Sequence, residues 1–446
     1  AEAARRLKID ESTVREWVEQ YKAHGDAAFT ETAKNRCYSN ELKVAAVKDY
    51  LSGNGSIRKI TAKYSISSSR VLRSWIKVYN SGKDFGRKMP GGSRMKKDCF
   101  GGPGQWYKGN LHSHTTNSDG HLTPAQAVAL FRQYGYSFLC LSEHDYYTDL
   151  RAELDREDFI LLPGVEASSW LVQPPKDPAA LQELAALKEK NASMPELVQF
   201  CCTHGTGLRK THHIHGILGN EAMQRAAGDN VLHHGERLTP PVAVGDWNGL
   251  QAAQQLTDYL KSRGCFTTYN HPTWSRVEMA DVVGLQGVWA VEVYNYGTEV
   301  ECGEGCDTAF WNTMLQKGTQ TGCFASDDNH NPAKFFDALG GWVCVKSEEL
   351  THEAIVNHLL AGDYYASAGP EITAWGVDGD EVYLTCSPAA RINFIAGGLV
   401  GGSETILQHE SPLTHGLHTL HGGETWVRAE VIDYQGRRAW TNPIWL

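Results

Sequence analysis

The sequence predicts a three-part chain: an all-α module, a large α/β body and a small all-β tail. Three observations carry that reading. Residues 1–97 hold 21 Lys+Arg against 10 Asp+Glu, a net +11, while the remainder holds 21 against 42, a net −21. The middle of the chain alternates strand-like and helix-like stretches. Helical periodicity stops after about Ser367. A chain of 446 residues exceeds one ordinary core, so several domains are expected. No apolar run approaches the ~20 residues of a membrane span. The start of the chain has no charged segment followed by an apolar one, so a cytoplasmic protein is expected. The 11 cysteines are scattered and odd in number, the pattern of reduced thiols. Cys302 and Cys306 in "CGEGC" have no second pair at zinc-finger spacing, and read as loop or buried thiols.

The elements follow in order. "DESTVREWVEQYKAHG" opens on capping residues, places Val14, Trp17, Val18 and Tyr21 at helical spacing and closes at Gly25. "NELKVAAVKDYLSGNG" (Asn40–Gly55) repeats the style. A short helix at Ile57–Tyr64, a turn at Ser65–Ser67 and a helix at Ser69–Tyr79 come next, with Val71, Leu72, Trp75 and Ile76 facing inward. "LKIDESTVREWVEQYKAHG" and "YSISSSRVLRSWIKVYNSG" form an internal repeat, with the grammar of helix-turn-helix units. The first copy lacks an opening helix. Residues 83–105, "KDFGRKMPGGSRMKKDCFGGPGQ", are basic and Gly-rich without periodicity, and read as a flexible linker.

This first region, about residues 3–82, resembles the two-part helix-turn-helix regions of insertion-sequence transposases. The resemblance and the positive charge imply DNA as a partner of residues 1–82. Arg15, Arg70 and Arg73 are the candidate DNA contacts.

From Trp106 to about Ala368 strands and helices alternate: "AQAVALFRQYG" is helical, "YSFLCLSEHD" a buried strand ending in charge, "FILLPGVEAS" another. "LQAAQQLTDYLKSRG", "CFTTYNHP", "VWAVEVYN", "TQTGCFASDDNH" and "GGWVCV" continue the alternation. This argues a parallel barrel or doubly wound sheet, with functional loops at the carboxyl ends of strands. From 369 to 446, "EITAWGVDGDEVYLTC", "ARINFIAGG" and "TWVRAEVIDYQGRRAWTNPIWL" alternate with turn signals, as in a small β sandwich.

Strand ends in the body carry metal-type ligands. In "NLHSHTTNSDG", His112 and His114 lie on one side of an extended segment, because side chains alternate. Asp119 adds a hard oxygen. Glu143-His144-Asp145, Glu166 in "GVE", the His-rich "THHIHGIL", Asn270-His271-Pro272 and "SDDNH" follow. Carboxylates and imidazoles converging on one mouth repel and desolvate one another, and divalent cations remove that cost. A multinuclear metal site is expected.

At these residues, over about 106–368, the chain resembles the PHP (polymerase and histidinol phosphatase) metallohydrolases. The resemblance implies a distorted (β/α)7 barrel with two or three divalent ions of Mn, Zn or Fe. It implies nine ligands: His112, His114, Asp119, His144, Glu166, His213, His271, Asp328 and His330. His215 replaces His213 if the register slips by two, and Asp327 is the neighbour that substitutes for Asp328. His204, His212, His233 and His234 are expected in loops or in the long insert between Glu166 and His213, and Glu292 lies near the mouth without being a ligand. The implied reaction is hydrolysis of a phosphate ester by water activated between the cations, with Asp119, His271 and His330 as catalytic candidates. His271 or His330 is placed to protonate the leaving group, each being otherwise a plain ligand. A phosphate-selective pocket needs basic groups, for which Arg276 is the candidate. A branch of the family cleaving carbamate or other carboxylic esters implies instead an apolar pocket, which tryptophans of the insert fit. A DNA-binding regulator, or a nuclease guided by the basic arm, is the reading from another class.

Overall fold

A computed structural model describes residues 11–25, 40–66, 68–80, 95–190, 192, 194–238, 249–406 and 411–446. Contacts divide the chain into two compact units, Ala1–Ser93 and Arg94–Leu446.

The first unit contains helices Glu11–His24, Asn40–Leu51, Ile57–Lys63 and Ser69–Asn80. Ser56 caps the third by accepting from the Lys59 amide, which satisfies one of the orphan donors of a helix start. Ser65 takes a left-handed φ of 51° and turns the chain into the next helix. Ala46, Val47, Ile60, Ile66, Leu72 and Trp75 form the core, with Val71 and Ile76 packed against it. The second repeat thus buries its apolar face as expected. In the first, Trp17, Val18 and Tyr21 are exposed.

The second unit begins inside the expected linker. Residues 83–94 lie outside the described residues, but β1 (Lys96–Asp98) pairs with a strand 280 residues later, Lys96 opposite Asp378. Phe100 is buried, and its carbonyl accepts from Lys346 Nζ. Glycine-rich composition argued for flexibility there. Strand pairing and one buried aromatic ring override it.

Seven strands follow one another around a ring: β2 (Gln105–Asn110), β3 (Phe138–Leu141), β4 (Ile160–Val172), β5 (Leu208–Leu218), β6 (Cys265–Tyr269), β7 (Val288–Asn295) and β8 (Gly322–Ser326). A parallel bridge, Ser113 with Asn329, joins the segments that follow β2 and β8. The Asp328 amide donates to His112 O and the His114 amide to Asn329 O, so the two ends are tied on both sides of that bridge. Pairs β2/β3, β3/β4, β6/β7 and β7/β8 are parallel. β5 is the correction to an all-parallel reading, since it runs antiparallel to β4 and to β6. The cause is the long insert. β4 continues past the rim as an arm, helices Pro178–Glu189 and Met194–His204 sit at its far end, and the chain returns beside itself as β5. A direct return of this kind needs no crossover helix. Trp170, Val172, Leu184, Leu187, Leu197 and Phe200 give that arm its own small core.

On its other side β2 pairs with β9 (Trp342–Ser347), which pairs with β10 (Tyr364–Ser367). The sheet therefore runs on from the ring into the C-terminal region. There β11 (Ile372–Asp378), β12 (Glu381–Ala389) and β15 (Leu413–Thr419) join β1 in one sheet. β13 (Arg391–Gly397), β14 (Gly402–Thr405), β16 (Trp426–Ile432) and β17 (Arg438–Thr441) continue the large one, and β18 (Ile444–Trp445) pairs with β16. Ile372, Trp375, Val382 and Leu384 of the small sheet share a core with Ile392, Phe394, Val427 and Val431 of the large one. This is sandwich packing of two amphipathic faces. No helix among the described residues is long and apolar enough to cross a membrane.

Candidate metal centre

Six of the seven strands of the ring contribute ligand-type residues to one cluster at its rim. His112 and His114 follow β2, His144 follows β3, His271 follows β6, and Asp328 and His330 follow β8. Glu166 is inside β4 because that strand runs beyond the rim, where His144 bridges to it. The reversed β5 brings mid-strand residues to the same level, with Ser168 opposite His213 and Glu166 opposite His215. Alternation sorts their neighbours: His212 faces away, with its Nδ1 2.6 Å from the Tyr269 hydroxyl and its Nε2 2.8 Å from Gly249 O.

Glu166 is the centre. Its Oε1 lies 3.3 Å from His112 Nε2, 3.2 Å from His213 Nδ1 and 3.3 Å from His271 Nε2. Its Oε2 lies 3.2 Å from His144 Nδ1 and 3.5 Å from His114 Nε2. Asp328 Oδ1 lies 3.0 Å from both His112 Nε2 and His114 Nε2, which are 3.1 Å from each other. Farther out, Asp119 faces His330 Nε2 at 3.4 Å and His144 Nε2 at 3.6 Å.

These donors form three groups that could each surround one ion: His112, His114, Glu166 and Asp328; His114, Asp119, His144 and His330; His144, Glu166 and His213. In the first, His112 Nε2, His114 Nε2 and Asp328 Oδ1 are 3.0–3.1 Å apart, near the edge of about 3.3 Å of a tetrahedron with bonds of about 2.0–2.1 Å, and Glu166 presents one oxygen to each imidazole at 3.3 and 3.5 Å. Among the described residues, His144 Nδ1, Glu166 Oε2, both nitrogens of His213 and Asp328 Oδ1 are buried without a hydrogen-bond partner. A fold that leaves so many polar atoms unpaired at one point is costly by itself. The donor set therefore fits divalent ions.

Outer contacts decide which nitrogen faces inward. His112 Nδ1 is 3.0 Å from Glu292, His271 Nδ1 is 3.1 Å from Ser275 Oγ, and His330 Nδ1 is 2.9 Å from Asp328 O. Each leaves Nε2 for the cluster, with a carboxylate behind His112, a hydroxyl behind His271 and a carbonyl behind His330, the kind of backing that orients a metal-binding imidazole. Glu292 also accepts from Ser326 Oγ, the His271 amide and Asn295 Nδ2, so its four acceptor positions are filled. It appears in a further group with His112 and His271, but its geometry is that of an orienting residue. Asn270 Nδ2 holds Glu166 at 2.7 Å. Glu143 accepts from the Thr115 amide, the Thr115 hydroxyl and Ser118 Oγ, which braces the loop carrying Asp119. His271 and Asp328 take left-handed φ angles of 21° and 52° where the chain turns at the rim, a conformation uncommon for such residues and frequent at functional sites.

Charges are strongly coupled. Burial disfavours charge on every group, yet the neighbouring carboxylates outweigh it at His112, His144 and His271, whose pKa values are raised. At His330 burial is outweighed by Asp119 and Asp328, and the value is raised to about 9. The surrounding imidazoles likewise outweigh burial and hold Asp119, Glu166 and Asp328 below the usual carboxylate range. His213 is the exception, since burial outweighs Glu166 and lowers it to about 4, a neutral imidazole. Neutral imidazole and ionised carboxylate are the metal-binding forms.

The cluster opens into a cavity of about 620 Å³. Asp119, His144 and His330 face it, Trp170, Trp274 and Phe335 wall it, and Lys334 and Glu301 also line it. Trp170 meets the His213 ring edge-on at 5.0 Å, and Trp274 meets His271 at 5.0 Å.

All nine residues singled out in the sequence meet here. Asp327 goes elsewhere: its carboxylate caps the amides of Leu339, Gly340 and Gly341. His215 lies one step below, 4.0 Å from Glu166 and with its ring 4.1 Å from His112. Arg276 is exposed and absent from the cavity wall; its left-handed φ of 58° marks the turn after His271 that carries it off. Lys334 is the cation lining the cavity among the described residues, and nothing in "HNPAKFF" announced it. Trp170 was legible, since Glu166, Ser168 and Trp170 alternate onto one face of β4. His212 belongs to β5 rather than to a loop. His204 pairs with Glu183 in the insert, and His234 Nδ1 accepts from the Asp149 amide. Cys302 and Cys306 are exposed thiols in no metal-binding group. Arg15 and Arg73 are exposed on their helices, and the Arg70 side chain lies outside the described residues.

No family model matches the chain. Its N-terminal region is similar to an uncharacterized 20.7 kDa protein of insertion element IS1223 from Lactobacillus johnsonii, 32% identical over 77 residues. That match covers 17% of this chain and 43% of the relative, so the chain spans under half the length of that protein. Among solved structures, one neighbour is a two-domain protein from Bacteroides vulgatus containing a predicted PHP-like metal-dependent phosphoesterase. It is 13% identical with a TM-score of 0.34, over 77% of this chain and 96% of that one. An amidohydrolase from Chromobacterium violaceum is 15% identical with a TM-score of 0.31, over 52% and 89%. Likeness at this level leaves the functional argument to the site itself.

Proposed function

We propose that the chain is a metal-dependent hydrolase of the PHP type that cleaves a phosphate ester. The observation that carries this is the convergence of three ligand groups, two of them sharing Glu166 and all linked through His114 and His144, with partnerless buried donors in the wall of a cavity. We read the seven-stranded ring as a distorted (β/α)7 barrel, with boundaries at 106–368, a module at 1–82 and a β domain at 369–446. Two or three ions of Mn, Zn or Fe would be held by His112, His114, Asp119, His144, Glu166, His213, His271, Asp328 and His330. Divalent ions at such a site activate water and neutralise charge building on substrate oxygens.

The chain's own groups do the rest. Glu166 and Asp328 supply the buried negative charge that would face the ions. Asp119, His144 and His330 face the cavity and meet the substrate. His330 directs Nδ1 at Asp328 O and Nε2 at Asp119; where Nε2 is not holding an ion, it is the more exposed of the two histidines and the better placed to protonate a leaving oxygen. His271 is buried, meets Trp274 edge-on in the cavity wall and is read as a ligand. Lys334 attracts the anionic group, and Trp170 and Trp274 flank the leaving group and exclude water.

A carboxylic or carbamate ester is the second reading, favoured by the aromatic walls. A panel of nitrophenyl phosphates and nitrophenyl carboxylates with Mn²⁺ decides between them. The phosphate reading expects phosphate release that is lost in Asp119→Ala, with KM raised about tenfold in Lys334→Ala, one charge contact. Turnover of carboxylates only, insensitive to Lys334→Ala, moves the assignment to the second reading. No turnover of either class rejects a hydrolase and leaves a sensing role. The helix-turn-helix module we read as a DNA-binding arm. Reversing Arg15 and Arg73 to Glu should weaken DNA binding by the full chain and flatten its salt dependence; unchanged binding removes DNA as partner.

A further inference from the structure

A second group of metal-type ligands lies in the C-terminal sandwich, and the ring cluster shares none of its residues. His418 ends β15, and His421 and Glu424 occupy the turn leading to β16. We propose that His418, His421 and Glu424 bind one divalent transition ion of the Zn²⁺ class, a site distinct from the catalytic centre.

Each of the three offers a ligand atom, and these atoms lie within 4.8 Å of one another. They are held there by separate causes. The His418 ring is stacked on Phe394, centroids 5.5 Å apart and planes 16° apart. Its Nε2 is shielded and has no hydrogen-bond partner, a state that costs free energy unless something accepts the lone pair. Glu424 is anchored by the amides of His421 and Gly423 at 2.9–3.1 Å, which fixes the carboxylate before any ligand arrives. Gly422, at φ 80°, permits the turn that folds His421 back until its Nδ1 is 3.3 Å from Glu424. The ring centroids of His418 and His421 are 6.1 Å apart.

Hydrogen bonding within the turn accounts for Glu424 but not for the shielded, partnerless His418 nitrogen. Two imidazoles and a carboxylate select borderline ions such as Zn²⁺ over Mg²⁺ or Ca²⁺. A bound ion would tie the end of β15 to the start of β16, cross-linking the two sheets of the sandwich where β15 is otherwise an edge.

The test counts metal in the full-length protein, stripped with chelator, reloaded with Zn²⁺ and desalted. His421→Ala, an exposed position, and His418→Gln should each bind one equivalent fewer than the unaltered chain, with ester hydrolysis unchanged. Circular dichroism checks that both remain folded, and His421→Ala carries the test if the His418 variant does not. The same number of equivalents in a folded His421→Ala overturns the site, and so does loss of hydrolysis in step with the metal.

Discussion

The cluster has a dry end and a wet end, and the two are built differently. At the dry end His112, Glu166, His213 and His271 have side chains 0–2% exposed, and Glu292, Asn270 and Ser275 back His112, Glu166 and His271. At the wet end the side chains of His144, His330 and Asp119 are 14%, 30% and 43% exposed and border the cavity. Electrostatics at the dry end act in a medium of low effective dielectric, so an unmatched charge there is expensive. At the wet end solvent screens the same charges and groups can exchange partners. On the proposed reading, ion retention falls to the dry end, whose Glu166, His213 and His271 also reach the cavity wall, and contact with the reacting group falls to the more exposed wet end.

The comparison can be broken by substitution. Glu166→Gln should be the largest effect, because that carboxylate belongs to two of the ligand groups. Hydrolysis should fall by about 1000-fold or more, and metal content should fall with it. Retained metal would show that the dry end does not govern retention. Asp119→Ala should cost about 100- to 1000-fold in kcat while removing no more than one ion. Loss of every ion would erase the distinction between the ends. Glu292→Gln should weaken ion affinity about 10- to 100-fold, because it disturbs the backing of His112 and not a ligand. With excess metal, activity should return; failure to recover would make Glu292 a ligand after all.

The smallest effect is a pH dependence beside the dry end. Burial holds His212 at about 4, below the ordinary imidazole value of about 6.5. Between those values the unfolded chain takes a proton that the fold refuses. Stability should therefore be complete above about 6.5 and decline as pH falls toward 4. His212→Asn should flatten that part of the profile of thermal midpoints. An unchanged slope would place the acid sensitivity elsewhere.

The sequence by itself determined which residues compose the cluster. Ligand types recur at strand ends, and the alternation of His112 with His114 and of Glu166 with Trp170 is a local property of extended chain. It also determined the second helix-turn-helix repeat, whose spacing and turn are local. What it did not determine depends on partners far along the chain. The reversal of β5 follows from how the arm after Glu166 folds back on itself, and no residue near His213 encodes it. The choice of Asp328 over Asp327 depends on three amides at Leu339–Gly341 that claim the latter. The role of Glu292 depends on donors from the segments after β2 and β6 and from β8, and Lys334 lines the cavity while Arg276 does not because of where two loops turn. Side-chain chemistry and period are written locally, whereas register, strand direction and the partner that satisfies a buried carboxylate arise from contacts between segments that no local pattern joins, some of them far apart in the chain, and only the tertiary structure brings these together.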